Sequence, residues 1–211
     1  MTQPRSGRDL IARHGETVFN AARRLQGDHP HTPLTRAGFA QADSLGRALR
    51  EMLGVRPALT LWSSPAGRAL QTLAIIAEHL ELDWHRVRTD DRLAEIGMGA
   101  WGGRYYADVI GEVGPVITEE GLLRPAPDGE DYRSIEARVS GWLADTADDP
   151  GDRLVIMHGI SSRVLRGVMT GAPVHRSFGA PIAPGLSQGS IVLVDRGTET
   201  IAHIGTGHAP A

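Results

Sequence analysis

The chain has 211 residues, 41% of them hydrophobic, with a formal net charge of −3 and no cysteine. That length suits one α/β core and is short for two full domains. The missing thiol excludes disulfides, thiolate nucleophiles and thiolate metal sites, and the weak negative charge without a basic tract argues against nucleic acid as a partner.

In chain order, residues 1–8 are polar and lack the apolar stretch of a secretory signal, and no apolar run reaches membrane-spanning length. A cytoplasmic protein with no membrane partner is therefore expected. Residues 10–13 read as a short buried strand. Thr35 can cap a helix to about residue 52, with Ala37, Ala40, Leu45, Leu49 and Met52 as its apolar face, ended by Gly54 and Pro57. Residues 59–62 give the next strand, Pro65 introduces a helix over 66–80, and residues 84–88 suggest a third strand. Residues 93–103 hold too much glycine for a helix and read as a structured loop.

The pattern weakens over residues 104–132, which read as a cap-like insertion over the carboxyl edge of a sheet. A helix over 134–146 follows, with Ile135, Val139, Trp142 and Leu143 inward, then a strand over 154–157 and a helix over 161–169. Residues 191–194 and 200–204, around the turn Asp195-Arg196-Gly197, look like a final pair of strands, and the tail after Thr206 is expected to be loose. Alternation of strand and helix predicts one three-layer α/β domain over residues 1–211, a mostly parallel central sheet with helices on both faces.

Three strand exits carry the chemistry. The first strand runs into Arg13-His14-Gly15-Glu16-Thr17, and the strand at 154–157 runs into His158-Gly159. Two histidines at matching exits, each followed by a small residue that lets backbone approach, point to a reaction centre. The third exit is Ser63-Ser64-Pro65, after which Arg68, Gln71 and Thr72 share a helix face near its positive end, an arrangement suited to an anion. All 22 basic residues are arginine. That excludes a lysine-bearing phosphate loop and Schiff-base chemistry, and makes guanidinium the clamp for phosphate. Glu95 lies in a glycine-rich loop around Trp101. Held over an anionic site by that ring, it would have the raised pKa a general acid needs.

This ordered series resembles the histidine phosphatase superfamily, the phosphoglycerate mutase-like group, over nearly the whole chain. The opening Arg13–Thr17 motif is intact, with Asn20 at the family's distance; Leu25-Gln26-Gly27, Thr32-Pro33-Leu34-Thr35 and Gly38 continue it. Ser63-Ser64-Pro65 with Arg68, Gln71 and Thr72, then Leu93-Ala94-Glu95-Ile96-Gly97 with Gly99, Trp101 and Gly103, then Gly129-Glu130 and His158-Gly159, follow in the family's order. The resemblance implies that His14 is a nucleophile that becomes phosphohistidine, that Arg13, Arg68 and His158 surround the transferred group, and that Glu95 is the proton donor. It also implies phosphate or substrate contacts from Asn20, Gln26, Gly27 and Gly159, with neither metal nor cofactor required.

Three departures stand out: Phe19 where the family often has tryptophan, Asp131 where serine usually follows the Gly-Glu pair, and Gln188 where asparagine is common. None removes a catalytic group. Hydrolysis of a small phosphomonoester is the favoured activity, since the chain is compact and lacks a lysine for a second phosphate. Mutase-type transfer and a non-catalytic module that binds a phosphorylated ligand are the alternatives. A homodimer is left open. His29 and His31 flank Pro30 near the expected substrate mouth, while Glu16 reads as a loop-fixing carboxylate.

Overall fold

A computed structural model describes residues 6–208. The first five residues of the polar N-terminal stretch and the last three of the tail lie outside the described residues.

Strands β1 (Asp9–Arg13), β2 (Leu59–Ser63), β3 (Arg88–Thr89), β4 (Asp152–Met157), β5 (Ile191–Asp195) and β6 (Thr198–His203) form one sheet in the order β3-β2-β4-β1-β5-β6. The first four pair in parallel, and β5 and β6 add an antiparallel edge. Helices α1 (Val18–Ala21), α2 (Arg36–Leu53), α3 (Gly67–His79), α4 (Tyr106–Val113), α5 (Tyr132–Asp145) and α6 (Gly159–Thr170) complete the chain. The two-residue period of a strand assigns the faces. Leu10, Ala12, Leu154 and Ile156 pack with Leu45, Leu49, Leu73 and Ile76 of α2 and α3. Ile11, Val155 and Met157 pack with Ile135, Val139 and Trp142 of α5 and Val164 and Leu165 of α6. The expected three layers are present.

Some expectations need correction. Residues 84–88 hold a 3-10 turn, Trp84–Arg86, because Asp83 accepts from the His85 N–H and closes a turn, and only Arg88–Thr89 pairs with β2. The buried stripe of α2 is Gly38, Gln41, Ala42, Leu45, Gly46 and Leu49, with Ala37, Ala40 and Met52 exposed. Closeness decides this: a Cβ on Gly46 would lie 2.4 Å from the His79 ring of α3, and one on Gly38 2.0 Å from the Glu16 carbonyl oxygen. Besides the expected Leu45 and Leu49, the helix thus turns Gly38 and Gly46 to its neighbours.

Residues 104–132 carry α4 and an isolated antiparallel bridge between Ile117 and Leu123. Val109, Val116, Leu122 and Leu123 are buried in the same cluster as Trp101 and Tyr132. Among the described residues, no helix is long and apolar enough to cross a membrane.

Candidate active site

Register builds the centre. Parallel pairing sets Arg13 opposite Met157, so His14 and His158 leave adjacent strands side by side at the carboxyl edge. Their rings stand 5.2 Å apart at 65°, both buried. Ser63, which ends β2, pairs with Ile156, so Ser64 reaches the same edge.

Arg68, from the first turn of α3, joins the three exits. Its Nε donates to His14 Nε2 at 3.3 Å and to His158 Nδ1 at 3.2 Å. Nη1 donates to the His29 carbonyl at 2.6 Å and to Thr32 Oγ1 at 3.0 Å, and Nη2 to the Gly27 carbonyl at 2.7 Å. Gly27 sits at φ +51, where a Cβ would meet Met98 Cγ at 2.2 Å, so only glycine turns its carbonyl to the guanidinium here. The backbone of Gly27 and His29 thus fixes Arg68, where the sequence suggested that Gly27 would contact the ligand.

Protonation follows from these bonds. His14 Nδ1 lies 2.7 Å from the Gly15 carbonyl, which can only accept, so Nδ1 carries the proton and Nε2 keeps its lone pair. Burial first, then the Arg68 and Arg13 guanidinium groups, hold His14 well below the ordinary histidine range, against the Gly15 hydrogen bond. Burial, Arg68, His14, Arg138 and Arg13 do the same to His158. Both imidazoles are neutral near pH 7. Arg68 is lowered by burial to about 10 and stays charged.

Arg13 is buried against α6. Nη1 donates to the Leu186 carbonyl at 2.7 Å, while Nε has no hydrogen-bond partner. A Cβ on Gly159 would lie 3.2 Å from Arg13 Cζ, so Gly159 makes room for this guanidinium. A buried cationic donor without a partner is costly unless an anion arrives to accept from it.

Glu95 is held differently from the expectation. Trp101 packs into the core cluster and does not hold the carboxylate. Oε1 accepts from the backbone N–H of Ile96 at 3.0 Å and of Ser161 at 2.9 Å, and Oε2 from that of Ile160 at 3.0 Å. Glu95 therefore anchors its loop to the first turn of α6, immediately after His158. Oε2 retains an accepting position that Oε1 has already filled. The loop is braced by Glu130, which accepts from the Gly97 N–H and, on both oxygens, from Arg138. Tyr106 stands close enough for its hydroxyl, pushed up to about 12 by burial, to feel the charges of Arg13 and Glu95.

Thr17 organises the remaining group. Its backbone N–H donates to Asn20 Oδ1 at 3.1 Å and its hydroxyl donates to the same oxygen at 2.9 Å. Oγ1 also touches the Gln26 side-chain amide. The hydroxyl thus lies between Asn20 Oδ1 and Gln26 Oε1, and the Thr17 backbone N–H fixes which way the Asn20 amide points. Asn20 then presents its NH2 away from Thr17 as a free donor. Glu16 accepts from Thr35 Oγ1 at 2.6 Å and fixes the loop as expected. His29 offers its carbonyl to Arg68 while its ring meets Phe19 at 5.8 Å, and the His31 side chain is exposed. Among the described residues, no group of three or more His, Cys, Asp or Glu could hold a metal ion.

Two buried neutral imidazoles share the Nε–H of one arginine, and a second arginine whose Nε lacks a partner lies beside them at the carboxyl edge of a phosphoglycerate mutase-like sheet, an arrangement suited to an anion. The chain belongs to the histidine phosphatase superfamily (branch 1), whose family model matches residues 10–205, and whose members are phosphatases and mutases that work through phosphohistidine. It is 34% identical over 176 residues to a protein of Enterobacter sp. (strain 638) named probable phosphoglycerate mutase GpmB, covering 78% of this chain and 75% of that one. In structure it is similar to a mycobacterial glucosyl-3-phosphoglycerate phosphatase solved with VO3, at TM-score 0.74 and 24% identity, covering 90% and 93% of the two chains. A putative alpha-ribazole-5'-P phosphatase from Escherichia coli K-12 superposes at TM-score 0.70 and 22% identity, covering 95% and 96%.

Proposed function

We propose that the protein hydrolyses a small phosphomonoester through a phosphohistidine on His14, without metal or cofactor. The observation that carries this is the His14 tautomer: Nδ1–H is tied to the Gly15 carbonyl, and Nε2 keeps an unprotonated lone pair that meets only the long, shared N–H of Arg68. Nε2 attacks phosphorus as the bond to the ester oxygen breaks. Arg68, Arg13, His158 and the Asn20 amide meet the charge on the phosphoryl oxygens. Glu95, protonated from solvent at the open position of Oε2, gives that proton to the leaving alkoxide. A water then gives its proton back to Glu95 and attacks phosphorus, and the P–N electron pair returns to Nε2, releasing inorganic phosphate.

In this proposal the chain is a single domain and residues 104–132 form a cap that sets substrate choice, with Tyr106 facing the centre. The Gln26-Gly27 turn would line the substrate mouth, and its backbone would orient Arg68. A cytoplasmic setting and the option of a homodimer belong to the same proposal.

The name of the curated relative favours a second reading, transfer of the phosphoryl group between phosphoglycerate hydroxyls. The two are separated by incubating the protein with phosphorylated sugars, sugar acids and nucleosides, with and without bisphosphoglycerate. Hydrolysis predicts stoichiometric inorganic phosphate that does not depend on the bisphosphate. Isomerised phosphoglycerate, formed only when bisphosphate is present, would establish the mutase instead.

A further inference from the structure

We propose that Arg68 fixes the tautomer of His158, with Ser64 positioned to accept from its Nε2–H, and that the phosphoryl group consequently binds together with one proton that resides on His158 Nδ1. The inference rests on the phosphohistidine reading of the centre and adds to it a positioning residue and a proton.

Elimination gives the tautomer. Arg68 Nε is only a donor, so His158 Nδ1 accepts at 3.2 Å and bears no hydrogen in the empty site. His158 Nε2 lies 2.7 Å from Ser64 Oγ. If the serine donated there, both ring nitrogens would be without a proton, an imidazolate that a neutral histidine is not. Nε2 therefore carries the proton and Ser64 Oγ accepts it. The same oxygen also accepts from the Ala66 N–H at 3.3 Å, which uses its two lone pairs and holds the serine in this role. Ser64 is fully buried and leaves β2 beside His158, so no water competes for Nε2.

The consequence appears when phosphate enters. The nitrogen facing the reaction centre is Nδ1, and a lone pair against a phosphoryl oxygen repels it. Nδ1 must gain a proton to donate, and the monoanionic ester or the solvent supplies it. Around the ring stand Arg68 from α3, Arg13 and His14 at the end of β1, and Arg138 from α5, with the Glu95 carboxylate held by the N–H groups of the first turn of α6. In the empty site the arginines oppose that proton. A bound dianion offsets them, so the proton arrives with the ligand.

The test uses inorganic phosphate and the whole protein at pH 8, where free phosphate is mostly dianionic. Titration calorimetry in buffers of different ionisation enthalpy should show uptake of about one proton per phosphate bound. His158→Gln should bind with none. No uptake by the natural protein, or the same uptake in His158→Gln, overturns the proposal. Nitrogen-15 NMR of labelled histidine gives a reading that does not need the variant to bind: His158 Nδ1 should pass from the unprotonated to the protonated range on phosphate addition. Ser64→Ala leaves the His158 Nε2–H without its acceptor, so it should bind phosphate about tenfold more weakly while the Arg68 hydrogen bond keeps the Nε2–H tautomer in the free protein. Undiminished binding, or a tautomer that changes, would overturn these positioning roles. Phosphohistidine on His14 with no proton uptake would leave the hydrolysis reading standing and remove only this one.

Discussion

Glu95 serves two ends, and a substitution there exposes both. Three backbone N–H groups converge on its carboxylate, two of them from the first turn of α6. Glu95→Gln replaces one accepting oxygen with an NH2 that faces donors, so we expect a stability loss of about 1–3 kcal/mol by urea denaturation. Phosphoenzyme formation from an alkyl phosphate should slow by roughly 10²–10⁴, because an alkoxide needs a proton as it leaves. From nitrophenyl phosphate, whose leaving group needs none, the burst should fall far less. Equal losses for both substrates would reduce Glu95 to a structural anchor. The histidines make a separate prediction. Both lie well below the ordinary range, so NMR titration of the free protein should find His14 and His158 still neutral at about pH 6, just below an ordinary histidine's pKa of about 6.5. Protonation of either near 6.5 would contradict the buried, arginine-flanked geometry.

At the scale of elements, the site depends on how closely helices approach the strand exits. The start of α2 meets the nucleophile loop through two glycines: a Cβ on Gly15 would lie 2.4 Å from the Gly38 carbonyl oxygen, and one on Gly38 2.0 Å from that of Glu16. Gly38→Ala should therefore push α2 from the loop, costing about 1–3 kcal/mol as overpacking and lowering phosphoenzyme yield. An unchanged urea midpoint and yield would refute it. Helix α5 begins with Asp131 accepting from the Ser134 N–H at 2.8 Å, the position where the family's serine was expected. Asp131→Ala should cost about 1 kcal/mol at pH 7. That hydrogen bond holds the Asp131 carboxyl below the ordinary aspartate range. Its contribution is thus complete above the unfolded pKa and is lost as pH falls through the folded one, so the two proteins should converge in acid.

These contacts mark the boundary of what the sequence discloses. Strand exits, the Thr35 cap and the order of motifs are local, and local signals place His14, His158, Arg68 and Glu95. Which glycine is a contact surface is not local. The α2 stripe therefore followed Gly38 and Gly46 rather than Ala37, Ala40 and Met52, and residues 84–88 closed into a turn through Asp83. Nor could spacing reveal that carbonyls of Gly27 and His29 hold Arg68, that helix N–H groups hold Glu95, or that Ser64 faces His158, because each joins segments distant in sequence.

Across the whole molecule, one strand pairing sets both ends. The register that brings His14 beside His158 also pairs Asp9 with Arg153 at the amino edge, where Arg153 Nε meets Asp9 Oδ1 at 2.5 Å and Nη1 meets Thr146 Oγ1 at 2.7 Å. The pair is buried and its guanidinium lies 4.6 Å from the Trp142 ring centroid. Arg153→Met should cost about 3–5 kcal/mol by leaving Asp9 in the core, and a compensating apolar replacement of Asp9 should recover most of it. Failure to recover would mean that the pair specifies the register as well as filling space. The central claim, that His14 takes the phosphoryl group, is tested most directly by rapid-quench labelling with a phosphorus-32 ester followed by peptide mapping. A label on His14 that is stable in base, labile in acid and absent from folded His14→Ala is the result predicted. Label on any other residue, or turnover with no covalent label at all, would contradict it.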